Sequence, residues 1–260
     1  MASTKCWLTA VSPQALKGNE MAFSLEGQTV FITGAAGGIG SATAKLCASM
    51  GARLVLADLQ APGALAQRLR DVGTEATALE FDVRDRQACE QAIAEVGRLD
   101  ALVANAGYCP WDDWNDGGWD DVFDATVGVN AKGVVNIVRP AMETMIAQKR
   151  GRIVLVSSVA GRMGGLKASP HYVIAKGGVN ALVKWLARRG APHGVTVNAV
   201  APGATQTNMV EGQTFDVSAI PLGRLAAPDE IAAPISFLCS PAASYICGTI
   251  LDVNGGVYMN

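Results

Sequence analysis

Tyr172 and Lys176 are the residues of this sequence best suited to move a proton, and they stand four apart in Tyr172-Val173-Ile174-Ala175-Lys176. On a helix that spacing stacks the phenol and the ammonium on one face, about one turn apart. An unperturbed tyrosine titrates at about 10, and a cation held beside it favours phenolate, so the pair is expected to work as a base nearer neutral pH. The same spacing also occurs where a tyrosine only packs at a helix start beside a solvated lysine. The elements that carry the pair decide between these readings.

The first such element is the run Thr29-Val30-Phe31-Ile32-Thr33, β-branched and aromatic, which reads as a buried strand broken at Gly34. It is followed by Gly34-Ala35-Ala36-Gly37-Gly38-Ile39-Gly40 and an apolar-periodic segment from Ala42 to Met50. A glycine-rich turn between a strand and a helix lets backbone amides approach a pyrophosphate at the positive end of that helix, which is the context a dinucleotide fingerprint requires. A second strand, Arg53 to Ala57, ends in Asp58, 24 residues after Gly34, where a βαβ unit returns to the cofactor edge. The Asp58 carboxylate suits a ribose diol and would repel a 2′-phosphate. Neither Leu59, Gln60 nor Gly37 offers a cation for that phosphate, so NAD is expected in preference to NADP. Strands from Ala76 to Phe81 and Leu99 to Ala104 end in two further cofactor-edge turns, Asp82-Val83 and Asn105-Ala106-Gly107, with a helical segment from Arg86 to Val96 between them. Strands alternating with helices require parallel crossovers, so the fold class is α/β with a doubly wound, Rossmann-type parallel sheet.

Composition fits one such domain. Of 260 residues 50% are hydrophobic and 17% charged, enough apolar material for a sizeable core, and 29 glycines imply many tight turns. A net charge of -2 gives no basic excess for nucleic acid or an anionic membrane, and no apolar run is long enough for a span. The cysteines Cys6, Cys47, Cys89, Cys109, Cys239 and Cys247 form no close CxxC pair, which argues against a zinc or redox motif and for a reducing cytoplasm. Two histidines with no carboxylates clustered around them give a metal centre little support. Residues 1–22 are expected to be a loose N-terminal extension, with Met21 an alternative start, and residues 23–260 a single dinucleotide-binding and catalytic domain.

The ordered motifs resemble those of the classical short-chain dehydrogenase/reductase family from about Leu25 onward. Thr33 to Gly40 is similar to its glycine motif, Asn105-Ala106-Gly107 to its sheet-stabilising turn, Tyr172 and Lys176 to its catalytic pair, and Pro202-Gly203 to the turn after its sixth strand. The resemblance implies a sheet of about seven strands with helices on both faces. It also implies that Ser158 is the catalytic serine and that Lys176 binds the nicotinamide ribose. By the same resemblance Asn130 holds a water in the proton relay, and Thr207, with Thr205 nearby, contacts the carboxamide. Asn130 stands in an otherwise apolar helical stretch from about Trp119 to Gln148, where an amide is costly unless its hydrogen bonds are met. Ser158 lies fourteen residues before Tyr172, one more than is usual in the family, so the loop from Arg162 to Pro170 is expected to differ in shape, with Ser157 as the fallback serine. His171, adjacent to the tyrosine and pointing elsewhere on a helix, is read as a pocket-rim or surface residue.

The implied reaction is reversible hydride transfer between a secondary alcohol or its ketone and NAD. Alternatives are an NADP-linked 3-oxoacyl or ketone reductase, a sugar or polyol dehydrogenase, or a dinucleotide-binding protein without catalysis. Trp111, Trp114, Met163, Leu166 and Met209 would suit a compact ring or aliphatic ketone, whereas Asp112, Asp113 and Asn115 would address a polyol. A short lid, Asn208 to Ile220, suggests an open pocket. The resemblance further implies a homotetramer, built through the segment Pro228 to Leu238 and the strand that follows it.

Overall fold

The computed structural model describes residues 22–260 apart from Leu166, which leaves Leu166 and the extension up to Met21 outside the described residues. Seven strands form one all-parallel sheet: β1 (Thr29–Thr33), β2 (Arg53–Asp58), β3 (Ala76–Glu80), β4 (Ala101–Ala104), β5 (Gly151–Val156), β6 (Val195–Pro202) and β7 (Ile250–Val253). Their order is β3-β2-β1-β4-β5-β6-β7. The order reverses between β1 and β4, and a reversal of this kind opens a crevice beyond the carboxyl ends of the strands. Helices α1 (Gly38–Ser49), α2 (Gly63–Asp71), α3 (Arg86–Val96), α4 (Trp119–Val127), α5 (Val134–Gln148), α6 (Ala160–Met163), α7 (Pro170–Gly190) and α8 (Pro228–Cys239) supply the crossovers.

Both sheet faces are apolar because successive strand residues alternate between two cores. Phe31 joins Leu102, Ile137, Ile153 and Val183 on one face, while its neighbours Val30 and Ile32 join Leu54, Val103, Ile231 and Ile235 on the other. Burying each such side chain stabilises the fold by roughly 1.5–3 kcal/mol. In α7 the spacing predicts an apolar stripe of Val179, Leu182, Val183 and Leu186, of which Leu182 is only partly buried and the other three are buried. His193 ends a short 3-10 turn, and β6 begins two residues later.

The stretch expected to be one long helix is interrupted. Gly128–Gly133 forms a π-helical turn between α4 and α5. The reason is local: Asn130 Nδ2 donates to Thr126 O at 2.9 Å, taking a carbonyl that an α-helix would give to the Asn130 backbone. A Cβ on Gly133 would stand 2.7 Å from Val83 Cγ2, so only glycine lets the widened turn sit against the end of β3.

Candidate active site

At the crevice the ends of β1 and β4 are stitched together. Asn105 Nδ2 donates to Thr33 O and Gly34 O, both at 3.0 Å, and Thr33 Oγ1 accepts from the amides of Asn105 and Ala106 at 3.1 Å. Gly34 has φ 66°, the left-handed region, and a Cβ there would meet Ala106 Cα at 2.9 Å. Gly38 leaves room for the Thr207 methyl, 2.5 Å from where its Cβ would stand, so the turn after β6 rests on the start of α1. Gly37 occupies the N-cap with no side chain closing the helix end, which leaves first-turn amides directed at the crevice. A Cβ on Gly40 would overlap the Gly34 carbonyl. Gly40→Ala is therefore expected to lower the melting temperature by several degrees and to weaken NAD(H) binding at least tenfold in a fluorescence titration, because the loop must shift away from α1.

The Asp58 carboxylate closes onto the glycine turn. Its Oδ2 accepts from Ala36 N at 2.9 Å and its Oδ1 from Leu59 N at 2.8 Å, leaving lone pairs on both oxygens. Leu59 is exposed beside it. Asp82 is drawn into its own turn, where Oδ1 accepts from Arg84 N at 2.8 Å and Oδ2 from Arg84 Nε at 2.7 Å. The Arg84 guanidinium holds that carboxyl below its usual range. Val83 is buried, and its carbonyl accepts from Asn136 Nδ2 at 2.9 Å. Beyond β6, Gly203 abuts Asn254, Thr205 Oγ1 donates to Gly203 O at 3.0 Å, and Thr207 Oγ1 to Thr205 O at 3.4 Å.

Helix α7 presents Tyr172 and Lys176 to the same crevice. Lys176 is buried, its Nζ donating to Val156 O at 2.9 Å and lying 5.6 Å from the centre of the Tyr172 ring. Burial disfavours the charged form of both groups. It brings the lysine down to about 8 and pushes the phenol above its ordinary value, with the Ser158 hydroxyl pulling the other way. The expectation that the neighbouring cation brings the phenol toward neutral pH is thus corrected: in the chain by itself, desolvation prevails and the phenol lies above its ordinary value.

The choice between the serines is made by their partners. Ser157 is buried within 2.7 Å of Asn180 Oδ1 and 3.2 Å of Lys176 O, a tie between strand and helix. Both serines border the cleft that holds Tyr172 and Lys176, but Ser158 Oγ carries no such tie and accepts from Ala160 N at 3.1 Å. After α6, Gly164 and Gly165 take left-handed backbone, at φ 92° and 69°. Asn130 is fully buried, and its side chain braces the chain at Tyr108, donating to Tyr108 O at 2.6 Å and accepting from Tyr108 N at 3.3 Å. Gly107 keeps a gap between Asn130 and Lys176: a Cβ there would lie 3.1 Å from Asn130 Oδ1 and 3.5 Å from Lys176 Nζ.

The cleft above this group has a volume of about 290 Å³ and is walled by Trp111, Met163, Met209, Phe215 and Ile220, with Ile39, Gly107 and Thr207 continuing it to the cofactor edge. Trp114 is a correction: it is 66% exposed and stands outside the lining. Cys109 and Phe215 line the cleft without having been singled out; the place of Cys109 just after the Gly107 turn was the available signal. The short lid is tied to the loop after β4: Trp111 Nε1 donates to Met209 O at 2.7 Å, and the Trp111 and Phe215 rings meet edge-on at 5.8 Å. The polar residues offered for a polyol turn elsewhere. Asp113 Oδ1 accepts from Asn115 N and Nδ2 at 3.0 and 2.7 Å on the exposed loop, and Asp112 faces Ser169 and His171. His171 is neither rim nor surface but fully buried, edge-on against the rings of Trp119 and Phe123. A larger cleft of about 500 Å³, between the Gly203 turn and Tyr258, does not include Tyr172. Among the described residues no cluster of three or more His, Cys, Asp or Glu could hold a metal, and no helix is long and apolar enough to cross a membrane.

The family model described as enoyl-(acyl carrier protein) reductase matches residues 34–258. The solved structure of a short-chain type dehydrogenase/reductase from Mycobacterium marinum superposes with a TM-score of 0.87 at 29% identity, covering 92% of this chain and 98% of that one. The chain belongs to the classical short-chain dehydrogenase/reductase family. Among curated relatives, the cis-4-hydroxycyclohexanecarboxylate dehydrogenase of Sinomonas cyclohexanicum is 42% identical, over 86% of this chain and 94% of the relative. The L-rhamnose 1-dehydrogenase (NAD(P)(+)) of a Sphingomonas species is 36% identical, over 91% and 98%. This short-chain dehydrogenase/reductase is thus an oxidoreductase, and the serine, tyrosine and lysine expected from its sequence meet in one cleft.

Proposed function

We propose that the protein is an NAD-dependent dehydrogenase that interconverts a compact, largely apolar secondary alcohol and its ketone. The observation that carries this reading is the convergence of Ser158, Tyr172 and Lys176 on one wall of an apolar cleft continuous with the glycine turn. Gly34, Gly38, Ile39 and Gly40 would hold the pyrophosphate, and Asp58 and Leu59 the adenosine ribose, with Asp82 and Val83 near the base. Asn105 to Gly107, Tyr172, Lys176, Pro202, Gly203, Thr205 and Thr207 would hold the nicotinamide half. Bound NAD would supply the hydride acceptor and a cationic ring whose charge favours phenolate.

The protein's own part is proton handling and orientation. In oxidation Tyr172, as phenolate, takes the hydroxyl proton while Ser158 donates a hydrogen bond to the same oxygen and fixes its direction. Lys176 stabilises the phenolate, and Asn130 holds the relay in shape through Tyr108. Water is kept from the reacting carbon by Trp111, Met209 and Phe215. A ring such as a hydroxycyclohexane is favoured over a sugar because Asp112, Asp113 and Asn115 all bond within the protein. The test is a screen of alicyclic and aliphatic secondary alcohols, polyols, sugars and 3-oxoacyl esters with NAD and with NADP, following the absorbance of the reduced nicotinamide. The reading expects turnover with NAD on the alicyclic panel; turnover confined to NADP with 3-oxoacyl esters would overturn it.

We also propose a homotetramer in the cytoplasm. Cys47, Cys89, Cys109 and Cys239 are buried free thiols, as a reducing compartment permits. Ile174, Ala181 and Trp185 form one exposed stripe on α7, with Val135 of α5 also exposed, and β7 is a sheet edge beside α8. Two such faces give the two kinds of self-complementary contact that close a tetramer. Trp185→Glu should reduce the assembly to dimers in light scattering while the melting transition stays cooperative.

A further inference from the structure

The roof of the cleft contains one strained residue. Trp111 has φ 60°, a left-handed conformation that is an outlier for a bulky side chain and persists only when its surroundings enforce it. The enforcement comes from both sides. Three residues earlier the chain is pinned at Tyr108, whose carbonyl and amide bond the Asn130 side chain. One residue later it is pinned at Asp112, whose Oδ1 accepts a 2.6 Å bond from Ser169 Oγ and lies 3.0 Å from His171 Nε2, outside the angle of a good N–H bond. Only Cys109, Pro110 and Trp111 span the two pins.

Ser169 occupies the N-cap of α7, with the extended backbone of a capping residue, yet its hydroxyl makes no cap bond. Serine at that position ordinarily accepts from a first-turn amide. Here the hydroxyl is directed to Asp112, and the carboxylate so held stands at the positive end of the helix that carries Tyr172. On the other side of the strained residue, the Trp111 indole reaches the lid, bonding Met209 O and meeting Phe215. Asp112 forms no hydrogen bond with the lid.

We propose that Asp112 is a positioning residue: by pinning the loop to the start of the catalytic helix it holds Trp111 in its left-handed conformation, and through Trp111 it holds the lid over the substrate pocket. The helix start, the loop and the lid are thereby linked in series, and a substrate enters when Trp111 releases Met209. The consequence for substrate rests on the cleft being the alcohol site, as proposed above; the mechanical linkage does not.

Hydrogen exchange of the full chain, read by mass spectrometry, separates the linkage from a local packing role. Asp112→Ala and Ser169→Ala should each speed amide exchange in residues 208–216 about fivefold or more, although neither residue bonds the lid. Ser169→Ala forfeits no helix cap, so it remains informative if Asp112→Ala folds poorly. Trp111→Phe, which removes the bond to Met209, should speed exchange in the lid and leave residues 113–116 unchanged. Adding Asp112→Ala to Trp111→Phe should make the lid no faster. Unchanged lid exchange in Asp112→Ala or in Ser169→Ala, or additive effects in the double variant, would overturn the proposal. With the alcohol found by the screen, both single variants should raise KM roughly tenfold and leave the NAD dissociation constant within about twofold. If the screen finds no alcohol but lid exchange responds as stated, the functional reading fails and the linkage stands.

Discussion

Tyr172→Phe should lower kcat by about 10³-fold or more while the dissociation constant for NAD changes by no more than about threefold. The phenol is 8% exposed, in contact with Cys109 and Ala160, and the ring would remain when only the hydroxyl is lost. No second acid stands ready to replace it. The Cys109 thiol is pushed up to about 11 by burial, and Lys176 points its ammonium at Val156 O. Stopped assays for turnover and a fluorescence titration with NADH check the two halves separately. Retention of more than a tenth of the wild-type kcat would remove Tyr172 from the proton-transfer role, and a parallel loss of cofactor binding would show that its effect is not on chemistry.

The second large effect is expected at Asp58. A unit charge at 4 Å is worth about 4 kcal/mol at an effective dielectric of 20, and less at this partly exposed position. Asp58→Asn keeps an acceptor for one of the two amides, Ala36 N or Leu59 N, and removes the charge that repels a 2′-phosphate. The ratio of kcat/KM for NAD to that for NADP should fall by about 10²-fold, mostly through KM. If the ratio stays as it was, cofactor choice is made elsewhere, and the exposed turn from Leu59 to Ala61 becomes the place to look.

The fold was legible because its signals are short in range. Thr29–Thr33, Arg53–Asp58 and Val195–Pro202 are apolar enough to be buried on both faces, and a strand, a glycine turn and a helix in succession leave few alternatives. Tyr172 and Lys176 were legible because one helical turn separates them, whereas Ser158 was legible only through the family resemblance, its neighbour Ser157 being chemically the same. What the sequence did not disclose depends on contacts between distant segments. Asp112 and Ser169 are 57 residues apart and Trp111 and Met209 are 98, and nothing in either local sequence marks them as partners. The burial of His171 follows from Trp119 and Phe123 on α4, which its own helix does not announce. The π-helical turn arises from the competition of one side-chain amide for Thr126 O, a contest that apolar periodicity does not register.

The most direct measurement follows the hydride itself. The best secondary alcohol from the screen, deuterated at its carbinol carbon, would be oxidised with NAD and the reduced nicotinamide examined by proton NMR. Deuterium at one face of the nicotinamide ring in the wild type, formed about 10³-fold more slowly in Tyr172→Phe, is the result this account predicts. Ketone formed with the label released to water would contradict it.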